Sequence, residues 1–159
     1  MEKINGSPDV QLLECTNPVR GYWRIRFDVQ IKDDGSADYY EHRFFAKPQL
    51  EVIKSVITEF INEQTNATIL SGLKYENQLV WLPAEYEAKY KAAYDLAVQT
   101  QGESLPYKVK LGGEDAPVYR EFTSLQDFKA FYLSVQKHIN DTINDGWKRK
   151  DAIDWSKYQ

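Results

Sequence analysis

The sequence predicts an α+β fold: a single domain over residues 1–159, made of three successive β-hairpin–α-helix units with an antiparallel sheet packed against the helices. Three observations predict it. Residues 22–32 alternate Trp23, Ile25, Phe27, Val29 and Ile31 with polar or amphipathic neighbours, the period-two pattern of a half-buried antiparallel strand. Apolar residues recur at helical spacing in three separate segments. Between them an apolar run, Leu79-Val80-Trp81-Leu82, meets Pro83 and passes straight into residues 84–100, where Tyr86, Tyr90 and Tyr94 lie one helical turn apart.

In chain order, residues 10–15 read as a strand ended by Asn17-Pro18, and residues 22–32 follow as the clearest strand. Asp33-Asp34-Gly35-Ser36 supplies a turn, with Gly35 able to take positive φ, and residues 38–46 return as the partner strand. Pro48 suits the first turn of a helix, whose stripe is Leu50, Ile53, Ile57 and Ile61 and which fades into residues 62–66. Residues 69–75 and 78–82 read as a second hairpin turning at Glu76-Asn77, with Trp81 expected inside it. The tyrosine-bearing helix comes next and ends near Gly102.

A third hairpin, 107–111 with 118–122, turns at Gly112-Gly113-Glu114-Asp115. Ser124 and Asp127 then mimic a capping box for a helix from Leu125 to about Asn144, burying Phe128, Phe131, Tyr132, Val135 and Ile139. A gapless shift of 78 residues sets Leu50, Ile53, Ile57 and Ile61 against Phe128, Phe131, Val135 and Ile139, as a shared architectural unit would. The middle unit is thereby expected at the centre of the sheet. Residues 1–8 and 156–159 are expected to be flexible ends.

Composition narrows the function classes. Eleven Tyr and four Trp in a chain 42% hydrophobic supply large buried areas that keep a polar tip, a bias shared by cores and interaction surfaces. A net charge of −4 argues against a general nucleic-acid binder, which needs a basic stripe against phosphate. The compact basic run Lys148-Arg149-Lys150 is bracketed by Asp145, Asp151 and Asp154, as at a solvated helix end. One cysteine, Cys15, allows no internal disulfide and no multi-cysteine metal cluster. No run of signal-peptide or membrane-spanning character occurs, so neither a membrane nor a leader is expected.

Each candidate for chemistry meets a structural reading that explains it as well. His42 shares strand parity with Tyr40 and Phe44. His138, Asp141 and Asp145 fall on one side of a helix and could ligate a metal, though such sites draw on several elements. Asp151-Ala-Ile-Asp154 reads as a short helical turn capped by Asp151, and Glu85 and Glu87 suit the positive end of a helix dipole. Gly112-Gly113 lacks the Lys-Ser/Thr of a phosphate loop. The polar face Tyr22, Arg24, Arg26 could recognise an anion but reads as a wet strand face. No catalytic residue, metal or cofactor is assigned. Tyr22, Arg24, Arg26, Tyr86, Tyr90, Trp147 and Trp155 are the candidate interaction surface, with the tyrosine row taken as core unless it is exposed.

One series of motifs carries a resemblance: Val80-Trp81-Leu82, then residues 90–100, Ser104-Leu105-Pro106, Pro117-Val118-Tyr119, Gly146-Trp147 and residues 150–155. In this order the chain resembles a family of uncharacterised proteins of Bacteroides-type gut bacteria and their phages. More loosely, it is similar to a domain of unknown function in phage and prophage tail-associated proteins. The resemblance implies a non-enzymatic phage or prophage protein, tail-associated as a structural or assembly factor, acting through protein–protein contacts in the host cytoplasm or on the virion. The alternative is a small prophage-encoded adaptor or inhibitor of a host protein; an enzyme built on carboxylates from separate elements is the lesser reading.

Overall fold

The computed structural model describes residues 1–113 and 115–159. It is α+β, with three hairpin–helix units in succession after two additional strands. The chain forms two compact units, one of Met1–Phe60 with Ala152–Gln159 and one of Ile61–Asp151.

In the first unit β1 (Glu2–Gly6), β2 (Leu13–Asn17), β3 (Tyr22–Ile31) and β4 (Ala37–Phe44) form one antiparallel sheet in the order β1-β4-β3-β2. The β3–β4 turn is built by its residue types. Asp34 Oδ1 accepts from the Ser36 amide at 2.9 Å and the Ser36 hydroxyl at 2.6 Å, and Gly35 takes φ +80°. The alternation of β3 does not run to its end. Asp28 adopts φ 55° in a bulge between Phe27 and Gln30, which shifts the register by one residue. Ile25 and Phe27 are therefore buried, whereas Ile31 is 71% exposed.

The ends expected to be flexible are structured. Residues 2–6 are β1, paired with β4 from Glu2↔Glu41 to Gly6↔Ala37. Asp154 caps a 3-10 turn, Trp155–Tyr158, by accepting from the Ser156 amide at 3.1 Å. Tyr158 is buried, and its hydroxyl donates to the Arg26 carbonyl at 2.8 Å. The cap expected at Asp151 thus sits at Asp154.

Helix α1 (Leu50–Ser71) begins after Pro48 and buries Ile53 and Ile57, with Phe60 edge-on to Phe27 at 5.4 Å. It continues past residues 62–66, whose polar side chains only looked like a helix end. In the second unit its later turns explain why: Ile61 is buried, and Thr65 lies where a Cβ on Gly146 would come within 2.5 Å of its Oγ1. That same glycine belongs to the interior of α3 (Leu125–Asp151) rather than ending it near Asn144. A missing side chain there lets two helices approach closely.

The expected second hairpin shrinks to β5 (Lys74–Tyr75) and β6 (Gln78–Leu79), turning at Glu76 and Asn77 with φ 48° and 64°. It is its own two-stranded sheet, not the centre of a larger one. Helix α2 (Ala84–Gln99) follows, then β7 (Tyr107–Gly112) paired with β8 (Pro117–Phe122); Glu114 of their turn lies outside the described residues. Ser124 caps α3 by accepting from the Asp127 amide at 3.2 Å. The core of this unit is aromatic, with Phe122, Phe128 and Phe131 fully buried beside Val80, Leu82, Val109, Leu111 and Val135.

Candidate functional site

The segment between β6 and α2 is held straight by the backbone. The Val80 amide donates to the Leu73 carbonyl at 2.9 Å, and the Leu82 amide to the Leu70 carbonyl at 3.0 Å. Extended chain puts neighbouring side chains on opposite faces. Val80 and Leu82 turn inward and are buried, so Trp81 between them must point outward and is 50% exposed. The expectation of a buried Trp81 is thereby corrected. Four consecutive apolar residues carry no parity signal, so the sequence did not reveal which face each would take.

Trp81 forms one wall of a groove of about 450 Å³, completed by Leu79, Glu85, Tyr86, Lys110 and the Gly112–Gly113 backbone. That volume lies in the range of small-ligand and side-chain pockets. Gly112 is needed there, since its φ is +83° and a Cβ would lie 2.6 Å from the Ala116 carbonyl oxygen. Glu85 is an acidic residue in the first turn of α2, where the helix dipole favours it. Among the described residues the groove thus combines two aromatic surfaces, Trp81 and Tyr86, with the Glu85 carboxylate and the Lys110 ammonium. This suits gripping a mixed apolar and polar surface.

The tyrosine row of α2 divides. Tyr86 lines the groove, with the Lys89 ammonium 4.9 Å from its ring centre. Tyr90 is buried against Phe131 at 5.2 Å, and burial pushes its phenol up to about 12; its hydroxyl has no partner among the described residues. Tyr94 stacks on Tyr132 at 4.5 Å. Of the candidate surface residues on α2, only Tyr86 reaches the groove. Trp147 is exposed elsewhere on α3, and Trp155 is half-buried beside Tyr158.

Tyr22, Arg24 and Arg26 do share a face of β3, but Arg26 is not wet. It is 6% exposed, as is Glu41 opposite. Glu41 Oε2 accepts from Arg26 Nε and from Arg24 Nη1, both at 3.2 Å, and Glu14 Oε2 accepts from Arg26 Nη1 at 2.7 Å and from Arg24 Nε at 3.0 Å. The hydrogen bond from Arg24 holds the Glu14 carboxyl below its usual value despite the opposing effect of burial. A period-two polar pattern cannot distinguish a solvated face from a covered ionic one.

His138, Asp141 and His42 have structural partners. His138 Nε2 lies 3.0 Å from the Thr68 carbonyl, and Asp141 accepts from Lys137 at 2.6 Å. Among the described residues no cluster of three or more His, Cys, Asp or Glu side chains could hold a metal ion. His42 stands edge-on to Phe44 at 4.8 Å, and burial lowers its pKa.

Several carboxyls titrate low, which fixes the sign of the acid response. Asp38 is lowered chiefly by the Lys32 hydrogen bond, Asp34 by Ser36, Asp154 by Ser156 and Glu14 by Arg24. A folded value below the unfolded one means stabilisation that is present above the unfolded value and lost as pH falls through the folded one. Urea midpoints are expected to decline gently below about pH 6.5, where His42 protonates more readily in the unfolded chain, and to drop more steeply below about pH 4 as the carboxyls protonate. A midpoint that rises on acidification would contradict this assignment.

No helix among the described residues is long and apolar enough to cross a membrane. No protein-family model, curated protein or solved structure matches the chain.

Proposed function

We propose that this chain is a non-enzymatic protein-binding module of phage or prophage origin, a tail-associated structural or assembly factor that grips a protein partner at the Trp81 groove. The observation that carries the reading is the outward-held indole. A large aromatic ring, half exposed and fixed in direction by backbone hydrogen bonds on both sides, is the kind of group that dominates protein interfaces. The same stretch opens the series of motifs that carries the phage-protein resemblance. Groups that would otherwise suggest acid–base chemistry are engaged in holding the fold: Glu14 and Glu41 by arginines, and His138 by the Thr68 carbonyl.

The setting that follows is the cytoplasm of a bacterial host during assembly, and then the virion. Mass spectrometry of purified virions and tail-assembly intermediates is the test, and the chain is expected at fixed stoichiometry in at least one of them. Absence from both would sink the tail assignment. Recovery of a stoichiometric host protein in its place would move the reading to an adaptor or inhibitor.

A further inference from the structure

The end of the four-stranded sheet where β2, β3 and β4 meet carries a concentration of features that the Trp81 groove does not use. A second cavity of about 360 Å³ opens there, lined by Tyr22, Trp23, Phe44 and Phe45 together with Arg24 and Arg43. Phe45 is 82% exposed, and Val19 in the adjoining β2–β3 turn is 95% exposed. Gly21 of that turn lies beside the Phe45 carbonyl, a Cβ there coming within 3.9 Å of it. The turn that carries Val19 thus runs beside the Phe45 backbone, and the Phe45 ring stands edge-on to Tyr22 at 5.5 Å in the cavity wall.

Four cationic side chains gather at this end in a chain whose net charge is −4, two of them, Arg24 and Arg43, paired with glutamates. Arg20 stands in the turn, and the Lys47 ammonium lies 5.4 Å from the Trp23 ring centre. Arg24 is oriented from behind by Glu14 and Glu41, through contacts of 3.0 and 3.2 Å. Arg43 is the loosely held member. Its contacts to Glu41 and Glu2 are 3.5 and 3.8 Å, and its side chain is largely exposed. A guanidinium with that freedom presents a planar fork of donors suited to a carboxylate.

We infer that this sheet end is a docking site for an acidic segment of a protein partner, in which carboxylates meet Arg43 and Arg24 while apolar side chains cover Phe45 and Val19. Charge complementarity selects the occupant. A small inorganic anion would leave the flanking apolar groups bare. An anionic membrane is disfavoured by the concave shape, which a flat bilayer surface does not fill. This surface belongs to a different unit from the Trp81 groove and is tested separately from it.

The probe is a fluorescently labelled peptide alternating glutamate with leucine, titrated against the full chain by anisotropy. Saturable binding is expected, weakened about tenfold or more by Arg43→Glu and by high salt, as for a charge-steered contact. Phe45→Ser should also weaken it, and both positions are exposed enough for the variants to fold. Lys129→Gln, exposed on α3 and outside both grooves, should change nothing. The inference is overturned if the peptide fails to bind, if a lysine–leucine peptide binds equally well, or if Arg43→Glu leaves the affinity intact. Binding to phosphatidylserine vesicles without peptide binding would overturn it in favour of a membrane surface.

Discussion

Glu41→Ala is expected to lower stability by about 3 kcal/mol, toward the lower end of what removing one partner of a buried ion pair costs. Glu41 lies almost wholly out of solvent and accepts from two arginines with one oxygen. Its loss strips Arg26 Nε of its acceptor while leaving that guanidinium buried. The cost is held down because Arg26 Nη1 keeps Glu14 at 2.7 Å and the Gln11 carbonyl at 2.8 Å. Glu41→Gln should cost less, since an acceptor oxygen remains. The double replacement Arg26→Met with Glu41→Leu is expected to recover much of the loss, because an apolar pair of similar volume escapes the desolvation penalty. Urea denaturation with a common m-value would read all three. A loss under about 1 kcal/mol for Glu41→Ala would mean that water reaches Arg26.

Phe131→Ala should be costlier, about 3–5 kcal/mol, as for a large aromatic removed from a packed core. Phe131 is fully buried and meets Tyr75 at 5.1 Å, Tyr90 at 5.2 Å and Phe122 at 5.1 Å. Those rings come from β5, α2 and β8, so one deletion loosens three elements at once. The two tyrosines stand edge-on to Phe131, and pairs of that kind add to the simple burial of area. Leu133→Ala two residues on is the control. Leu133 is exposed, and its replacement is expected to stay within about 0.5 kcal/mol. Equal losses at the two positions would contradict the burial pattern of α3.

The order of hairpins and helices was legible because each rests on a local signal. Alternation marks β3, Pro48 and Ser124 mark helix starts, and Glu76-Asn77 marks a turn. What escaped depends on contacts between segments. The strand β1 holds one apolar residue, Ile4, and exists because β4 offers an edge to pair with. The bulge at Asp28 reverses which residues face inward beyond Phe27, so Ile31 satisfies a pattern it does not obey. Residues 62–66 and Gly146 look like stop signals until each helix is seen to need the other there.

The candidate surface divided for the same reason. Tyr22, Arg24 and Tyr86 line cavities, whereas Arg26 and Tyr90 are buried by partners distant in sequence. Trp81 reached the groove because two backbone hydrogen bonds set its direction, and no residue type encodes that.

Trp81→Ala tests the groove directly, by thermal or urea stability and by co-purification of the partner from a producing host. Stability should fall by less than about 1 kcal/mol, since half of the ring is already in water. The partner should be lost, while Leu133→Ala retains it. A cost of about 3–5 kcal/mol would place the ring in the core, and a partner retained by Trp81→Ala would remove the groove from the interface.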